Sequence, residues 1–142
     1  MTETQIKIVQ NSWKLVAQDS EQAGKLFYAR LFEIAPNVRP MFPEDTSAQE
    51  KKLTTMLSYV INKLGNLNQI IEEVRSLALR HVKYGATPAH FPVVGEALLW
   101  TLEKGLDKNW NTEVAEAWTL CYTTLSGAMV QAIEVSPVTE KY

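Results

Sequence analysis

The chain has 142 residues, of which 46% are apolar and 21% are charged, and its net charge is −2. A chain of this size is expected to form one domain, residues 1–142, with a hydrophobic core of its own. The mild acidity argues against a nucleic-acid-binding protein, which normally carries a basic face. A single cysteine, Cys121, excludes an intrachain disulfide. Neither a secretory signal nor a run long enough to span a membrane is evident, so we expect a cytoplasmic protein.

Apolar residues recur at spacings of three and four, which predicts helices nearly throughout the chain and no β-hairpin. Pro36 ends the second helix and begins a proline-rich connection that carries Met41 and Phe42. In chain order, the predicted helices cover about residues 4–18, 21–34, 47–64, 67–83, 88–106 and 112–135.

Two of the helix starts carry specific capping predictions. Thr46 and Ser47 are both candidate N-caps of the third helix, and Ser47 precedes Glu50 at the spacing of a capping box. Thr87 precedes Pro88, which predicts an N-cap followed by a proline in the first turn of the fifth helix. The resulting all-α domain fits a helical bundle, a small regulator or a globin equally well, so its function depends on individual side chains.

Two histidines, His81 and His90, are candidate metal ligands. His81 lies near the end of the fourth predicted helix, on a face shared with Val74 and Leu77. An isolated histidine of this kind is more often an ordinary core or surface residue. As a haem-iron ligand it would bind through Nε2, while Nδ1–H donates to a backbone carbonyl such as that of Leu77.

Two polar residues lie among mainly apolar residues of the predicted helices. Gln49 heads a stripe at helical spacing that continues through Leu53, Met56 and Leu57, and Tyr28 follows Phe27 in the second helix. Gln49 has two interpretations: it is a polar residue of the first helical turn, or its amide points into a pocket. A buried phenol needs a partner. Together, Tyr28 and Gln49 would supply two hydrogen-bond donors to a partly negative bound O2.

Several motifs, taken in order, cover the chain nearly end to end. They are Leu26–Phe32, the corner from Pro36 to Phe42, Ser47–Leu53, Arg80–Gly85, His90–Leu99, and Ala117–Trp118 followed by Tyr122. With these motifs in this order, the chain resembles the single-domain haemoglobins of the bacterial flavohaemoglobin-like group and, more distantly, the neuroglobins. The resemblance implies an all-α globin fold, a 3-over-3 helical sandwich around haem b.

The resemblance also implies roles at the haem. His81 matches the proximal iron ligand, and Phe42 matches the aromatic residue that stacks on the porphyrin. Tyr28 and Gln49 match the distal pair that hydrogen-bonds O2, and Leu53 matches the apolar residue that sets the room for the ligand.

Other residues are implied to surround the cofactor. Lys52 on one side, and Lys83 or Tyr84 on the other, match positions that reach the haem propionates, although a solvated surface charge explains each lysine at least as well. The residues implied to line the cavity, with Phe32 also beside the ligand, are Phe32, Leu57, Leu77, Phe91, Val94 and Leu98.

Two features depart from the flavohaemoglobin-like pattern. Flavohaemoglobins continue into a flavin- and nicotinamide-binding reductase, whereas this chain ends at Tyr142 without a Gly-rich nucleotide motif, so we expect a separate reductase to supply electrons. The group also places a tyrosine and a glutamate near the proximal histidine. Phe91 occupies the tyrosine position, and Glu134 lies close to the glutamate position. This incomplete network weakens the case for a dedicated NO dioxygenase.

The leading expectation is a non-enzymatic haem protein that binds O2 reversibly and with high affinity, and that also binds CO and NO. The alternatives are an NO dioxygenase served by a separate reductase and a haem-based gas sensor. A haem-free globin module or a helical regulator would not need His81. Because Gln49 replaces a distal histidine and His90 should not reach the distal face, closure of the iron by two histidines is not expected. We expect a monomer or a weak homo-oligomer.

Overall fold

The computed structural model describes residues 1–83 and 85–135 and is helical, with no strand in these ranges. The all-α prediction is therefore confirmed. None of the helices in these ranges is long and apolar enough to cross a membrane. The α-helices are α1 (Glu3–Ala17), α2 (Ser20–Ile34), α3 (Ser47–Asn62), α4 (Ile71–Lys83), α5 (His90–Leu106) and α6 (Thr112–Val135), and 3-10 turns cover Pro36–Met41, Leu64–Ile70 and Asp107–Asn109.

The predicted capping box at the start of α3 is wrong. The N-cap is Thr46, and its hydroxyl donates to Glu50 Oε2 at 2.8 Å instead of accepting a backbone bond. Asp45 takes the place of the capping residue, because its Oδ1 accepts from the Ser47 amide at 3.0 Å and from the Ser47 hydroxyl at 2.7 Å. A carboxylate two residues upstream is a stronger acceptor than the Ser47 hydroxyl, so an Asx-type turn leads into the helix.

Two other helix starts are later than predicted. Residues 64–70 form a 3-10 segment before α4, with a non-helical backbone at Asn66, where Gly65 and Asn66 are both poor helix formers. α5 begins at His90 and not after Thr87, because the Thr87 amide donates to His90 Nδ1 at 3.0 Å and closes a turn there. The start of α6 is capped by Asn111, since its Oδ1 accepts from the Val114 amide at 2.9 Å.

The main hydrophobic core lies among α1, α2, α3, α5 and α6. Trp13 and Trp118 are buried in it, and their indole N–H groups donate to Ser58 Oγ and Ser12 Oγ at 2.9 and 2.8 Å. Neither buried indole therefore lacks a partner. Cys121 packs in the same core with 1% of its surface exposed, and burial raises the pKa of its thiol to about 12.

A glycine allows α2 and α3 to cross at close range. A Cβ atom added to Gly24 would lie 2.9 Å from Glu50 Cβ and 3.1 Å from the Glu50 carbonyl oxygen. Any larger residue would therefore push the two helices apart. Since Tyr28 follows Gly24 by one helical turn and Gln49 adjoins Glu50, the crossing brings Tyr28 and Gln49 into the same region.

The helices α3 and α4 form a V whose closed end is the 3-10 segment between them. Val60 of α3 packs with Ile70 and Val74 at this end, in a second, smaller hydrophobic cluster. Further along, α4 packs against α6 rather than extensively against α3 or α5. The start of α3 and the end of α4 therefore lie at the open end of the V, and these are the positions of Gln49 and His81.

Candidate functional site

His81 lies near the C-terminal end of α4, and its imidazole is oriented by its own helix. Nδ1 lies 2.7 Å from the carbonyl oxygen of Leu77, four residues earlier. A carbonyl oxygen can only accept, so Nδ1 carries the proton and donates. In a neutral imidazole, the lone pair is then on Nε2, which is the form of histidine that binds a metal. The contact is the one predicted from the sequence.

Tyr28 and Gln49 lie where α2 and α3 cross, and each has a polar atom without a hydrogen-bond partner in the described ranges. Gln49 Oε1 is buried and accepts no hydrogen bond from any residue in the described ranges. Burial, with a smaller effect of the Glu50 charge, raises the pKa of Tyr28 to about 12, and no hydrogen bond contributes to this shift. The phenol therefore stays protonated at neutral pH and remains available as a donor.

Two phenylalanine rings pack against Tyr28 and against each other. The Tyr28 ring centroid lies 5.5 Å from that of Phe42 and 5.9 Å from that of Phe32, and the Phe32 and Phe42 centroids are 5.5 Å apart. Met41, beside Phe42, comes close to the turn that follows α4, since a Cβ atom on Gly85 would lie 3.6 Å from Met41 Cε. The loop that carries Phe42 thus approaches the end of α4 that carries His81.

The apolar residues predicted to line the cavity are incompletely covered by protein. Leu98 is buried, but the others remain half-buried, although each of them is large and apolar. Apolar side chains at partial exposure would gain from contact with a bound apolar group. The residues in this half-buried set are Phe32, Phe42, Leu53, Leu57, Leu77, Phe91 and Val94.

These features fit a haem group. No group of three or more histidine, cysteine or acidic side chains in the described ranges could hold a metal ion by itself. A haem needs only one protein ligand for its iron, which His81 offers, and apolar side chains to cover its flat ring, which the half-buried set provides. The Gln49 amide, whose Oε1 accepts no hydrogen bond in the described ranges, can turn to present its N–H group to a bound ligand.

The two lysines predicted to reach the haem propionates lie at the protein surface. Lys52 and Lys83 are both exposed, as expected of a propionate partner and equally of a solvated charge. Tyr84 lies outside the described residues. His90 is engaged locally through the Thr87 amide, which agrees with the prediction that it does not reach the distal face.

Glu134 does not occupy the inward-facing carboxylate position of the flavohaemoglobin-like pattern. Glu134 is exposed, whereas the adjacent Ile133 is buried, so an apolar residue occupies the inward position. Phe91 contributes its backbone instead of a phenol, because its carbonyl accepts from the Tyr122 hydroxyl at 2.6 Å. Burial raises the pKa of Tyr122, which keeps this hydroxyl protonated as a donor. The only side-chain hydrogen bond that His81 makes in the described ranges goes to the Leu77 carbonyl.

The sequence alone missed several residues near the pocket. A cavity of about 370 Å³ lies between α3 and α4, towards the closed end of the V, with Met56, Leu77 and Arg80 among its lining residues. At its edge, the Tyr59 hydroxyl donates to Glu73, and this is the one side-chain hydrogen bond between α3 and α4 in the described ranges. Met56 lies on the helix face already predicted from Gln49, but no sequence signal pairs Tyr59 with Glu73.

Comparison with known proteins gives a consistent result. The family model described as Globin matches residues 25–129. An anaerobic nitrite reductase of Oryza sativa subsp. indica is 31% identical over 139 residues, which cover 94% of this chain and 96% of that protein.

Solved structures agree with the family match. A bacterial globin from Campylobacter jejuni aligns with a TM-score of 0.82 and 25% identity, over 92% of this chain and 95% of that one. An engineered carbene transferase, derived from a proposed nitric oxide dioxygenase of Rhodothermus marinus, aligns with a TM-score of 0.86 and 23% identity, over 99% of both chains. The second likeness, at this identity, supports the fold alone.

Proposed function

Because the chain belongs to the globin family, whose members bind haem and gases, we propose that it binds O2 reversibly and tightly, and CO and NO as well, in a pocket formed by Tyr28 and Gln49. The observation that carries this proposal is the Gln49 side-chain amide, whose Oε1 is buried and accepts no hydrogen bond in the described ranges. An unpaired buried acceptor costs free energy, and a half-turn of the amide places Nε2, which can donate to a bound gas, at the same position. Gln49 lies at the open end of the V, where His81 also lies with a free lone pair on Nε2.

Haem b, when bound, supplies an iron with a coordination position open to diatomic gases. His81 would hold it through Nε2, with its ring direction fixed by the Leu77 carbonyl. Phe42 and Leu53 would contact the ring on the distal side, and Lys52 and Tyr84 are proposed propionate partners. Further contacts would come from Leu57, Leu77, Phe91, Val94 and Leu98.

Tyr28 and Gln49 would act as hydrogen-bond donors towards the gas. O2 gains partial negative charge when it binds, whereas CO gains less, so donors favour O2 and slow its release. Because burial raises the pKa of Tyr28 to about 12, its O–H remains a donor at neutral pH. Phe32, in contact with the Tyr28 ring, would limit the water that competes for these donors.

The surroundings of His81 support binding rather than dedicated catalysis. A carboxylate bonded to Nδ1 would make the imidazole a stronger electron donor, which favours O–O bond cleavage. His81 instead bonds a neutral carbonyl, Ile133 is buried, and Glu134 is exposed. These contacts favour reversible binding, with NO dioxygenation by means of a separate reductase, or gas sensing, as the alternatives.

Nitrite reduction is a second candidate function, favoured by the name of the rice relative. A turnover assay distinguishes the two enzymatic functions from reversible gas binding. We expect no sustained consumption of NO in air, or of nitrite without air, when the protein is supplied with NADH and a flavodoxin-type reductase. Sustained consumption of either substrate would replace the binding proposal with that activity.

Finer assignments rest on the motifs. We propose that residues 1–142 form one globin domain, that it works in the cytoplasm as a monomer or weak homo-oligomer, and that within the bacterial group it is closest to the Hell's Gate globin of a methane-oxidising bacterium. The motifs around Tyr28, Gln49 and His81 support this placement.

Visible spectroscopy tests the proposed function. Spectra of the ferric, dithionite-reduced, O2-exposed and CO-exposed protein should show a Soret band, a pentacoordinate ferrous form and a stable O2-bound form. His81→Ala should lose or weaken haem binding, whereas His90→Ala should keep the wild-type spectra. Absence of a Soret band after haem is added would overturn the haem proposal, and a hexacoordinate ferrous spectrum would overturn the open distal site.

A further inference from the structure

Arg39 ties together the loop that carries Phe42. Its Nη1 donates to the carbonyl oxygens of Phe42 and Pro43 at 3.3 and 2.9 Å, and its Nη2 donates to that of Glu44 at 2.8 Å. In return, the Phe42 amide donates to the Arg39 carbonyl at 3.1 Å. Loop carbonyls have no helical partners of their own, so one planar guanidinium satisfies three of them at once.

The same guanidinium also packs on an aromatic ring. Arg39 Cζ lies 4.8 Å from the centroid of Phe32, which is a cation–π distance. Phe32 and Phe42 both contact Tyr28, so the three rings form a closed triangle. Arg39 is therefore bonded to the backbone of one member of the triangle and stacked on another.

The direction of the Tyr28 phenol depends on this packing. No hydrogen bond contributes to the environment of its hydroxyl, so nothing polar in the described ranges fixes where it points. Phe27 contacts the ring edge-on at 5.0 Å, and Phe32 and Phe42 contact its other sides. Of these neighbours, Phe42 lies in a loop. Without hydrogen bonds across that loop, the Phe42 ring would be able to shift.

We propose that Arg39 is a positioning residue that fixes Phe42 and, through it, the direction of the Tyr28 donor, and so sets the preference of the pocket for O2 over CO. The effect on gas preference rests on the proposed function, whereas the effect on Tyr28 does not. The three bonds need the fork of a guanidinium. A lysine keeps the charge, but its single ammonium cannot span the three carbonyls in one plane.

Arg39→Lys is the test variant, and Arg30→Lys is its matched control. Arg30 also stacks on an aromatic ring, with Cζ 5.2 Å from the Trp100 centroid, but it pairs with Glu33 outside the pocket. We expect Arg39→Lys to speed O2 dissociation about five-fold or more and CO dissociation less than about two-fold. A Tyr28 hydroxyl that points away from the gas weakens the hydrogen bond mainly to O2, which carries more negative charge than CO when bound. Arg30→Lys should change neither rate.

A second measurement follows Tyr28 directly, on the purified protein in whichever haem state it is isolated. NMR titration of protein labelled at the tyrosine Cζ carbon, with the Tyr28 signal assigned by its loss in Tyr28→Phe, gives the pKa of the phenol. The wild-type value should lie near 12. In Arg39→Lys it should move towards the ordinary value of 10.0 as water reaches the hydroxyl, and in Arg30→Lys it should stay unchanged.

The outcomes separate the two proposals. A wild-type protein that binds no O2 refutes the proposed function, and the Tyr28 titration then decides the role of Arg39. Wild-type values in Arg39→Lys for both the Tyr28 pKa and the ratio of the O2 and CO rates would overturn the positioning role. If Arg39→Lys does not fold, Arg39→Gln is the second variant, because its amide offers two N–H bonds in place of the five of a guanidinium and cannot bond three carbonyls, and it should shift the Tyr28 pKa in the same direction. An unchanged pKa in Arg39→Gln would count as refutation.

Discussion

Replacing Gln49 by leucine should make the protein more stable while making it worse at holding O2. Gln49 Oε1 is buried without a partner, and such an atom costs about 1–3 kcal/mol in the free energy of unfolding. Leucine is close to glutamine in size and has no polar atom to bury, so Gln49→Leu should recover much of that cost. The same change removes a donor from the pocket, and a charge-assisted hydrogen bond of about 1.5–3 kcal/mol corresponds to a ten- to hundred-fold loss of O2 affinity.

The assay pairs two measurements on the same samples. Anaerobic urea unfolding of the ferrous protein gives the free energy of unfolding, and stopped-flow replacement gives the O2 and CO dissociation rates. Gln10→Leu is the matched control, because Gln10 Nε2 donates to the Ile61 carbonyl at 3.0 Å and lies outside the pocket. This variant should lose about 0.5–1.5 kcal/mol of stability and leave both gas rates unchanged.

The reasoning fails if Gln49→Leu loses stability by as much as Gln10→Leu while its O2 dissociation rate stays at the wild-type value. That result would mean that the Gln49 amide finds its partner within the protein. An equal change in the O2 and CO rates would also count against it, because a lost donor acts mainly on the ligand that carries charge.

Three further predictions concern other parts of the site. The pKa of Tyr28 in the folded protein, about 12, lies above the usual 10.0, so its O–H donor is intact below pH 10 and is lost as the pH rises through 12. The O2 dissociation rate should therefore stay constant from neutral pH to pH 10 and rise above it, and Tyr28→Phe should not show this rise. Tyr59→Phe removes the side-chain bond to Glu73 across the V, and haem transfer to an acceptor globin should be several-fold faster; an unchanged rate would show that the bond does not restrain the helices. Gly24→Ala places a Cβ atom 2.9 Å from Glu50 and should cost about 1–3 kcal/mol in urea unfolding, whereas Gly65→Ala, with no atom within 4 Å, should cost little.

The parts of the site that depend on spacing along one helix were predictable from the sequence. The bond from His81 to Leu77 joins residues four apart, which any regular helix brings together. The burial of Trp13 and Trp118 follows equally from helical periodicity. The resemblance to known haemoglobins then supplied the roles of Tyr28 and Gln49, which spacing alone left open.

Contacts between elements distant in the sequence could not be predicted in this way. The bond from Tyr59 to Glu73 depends on the angle between α3 and α4, which the 3-10 segment sets and no local pattern encodes. The bonds of Arg39 depend on the path of a proline-rich loop. The predicted capping box at Ser47 is wrong because Asp45, a competing acceptor two residues upstream, accepts the hydrogen bond of the Ser47 amide.

The burial of Cys121 bears on chemical durability in a protein proposed to bind NO and O2. The thiolate is the form of cysteine that nitrosating agents and peroxides attack, and it must be accessible to react. Cys121 has 1% of its surface exposed and is held protonated by its surroundings, and the chain has no other cysteine. Repeated exposure to these gases should therefore leave the sulfur unmodified, without S-nitrosation and without disulfide-linked dimers, so that damage would fall on other side chains first.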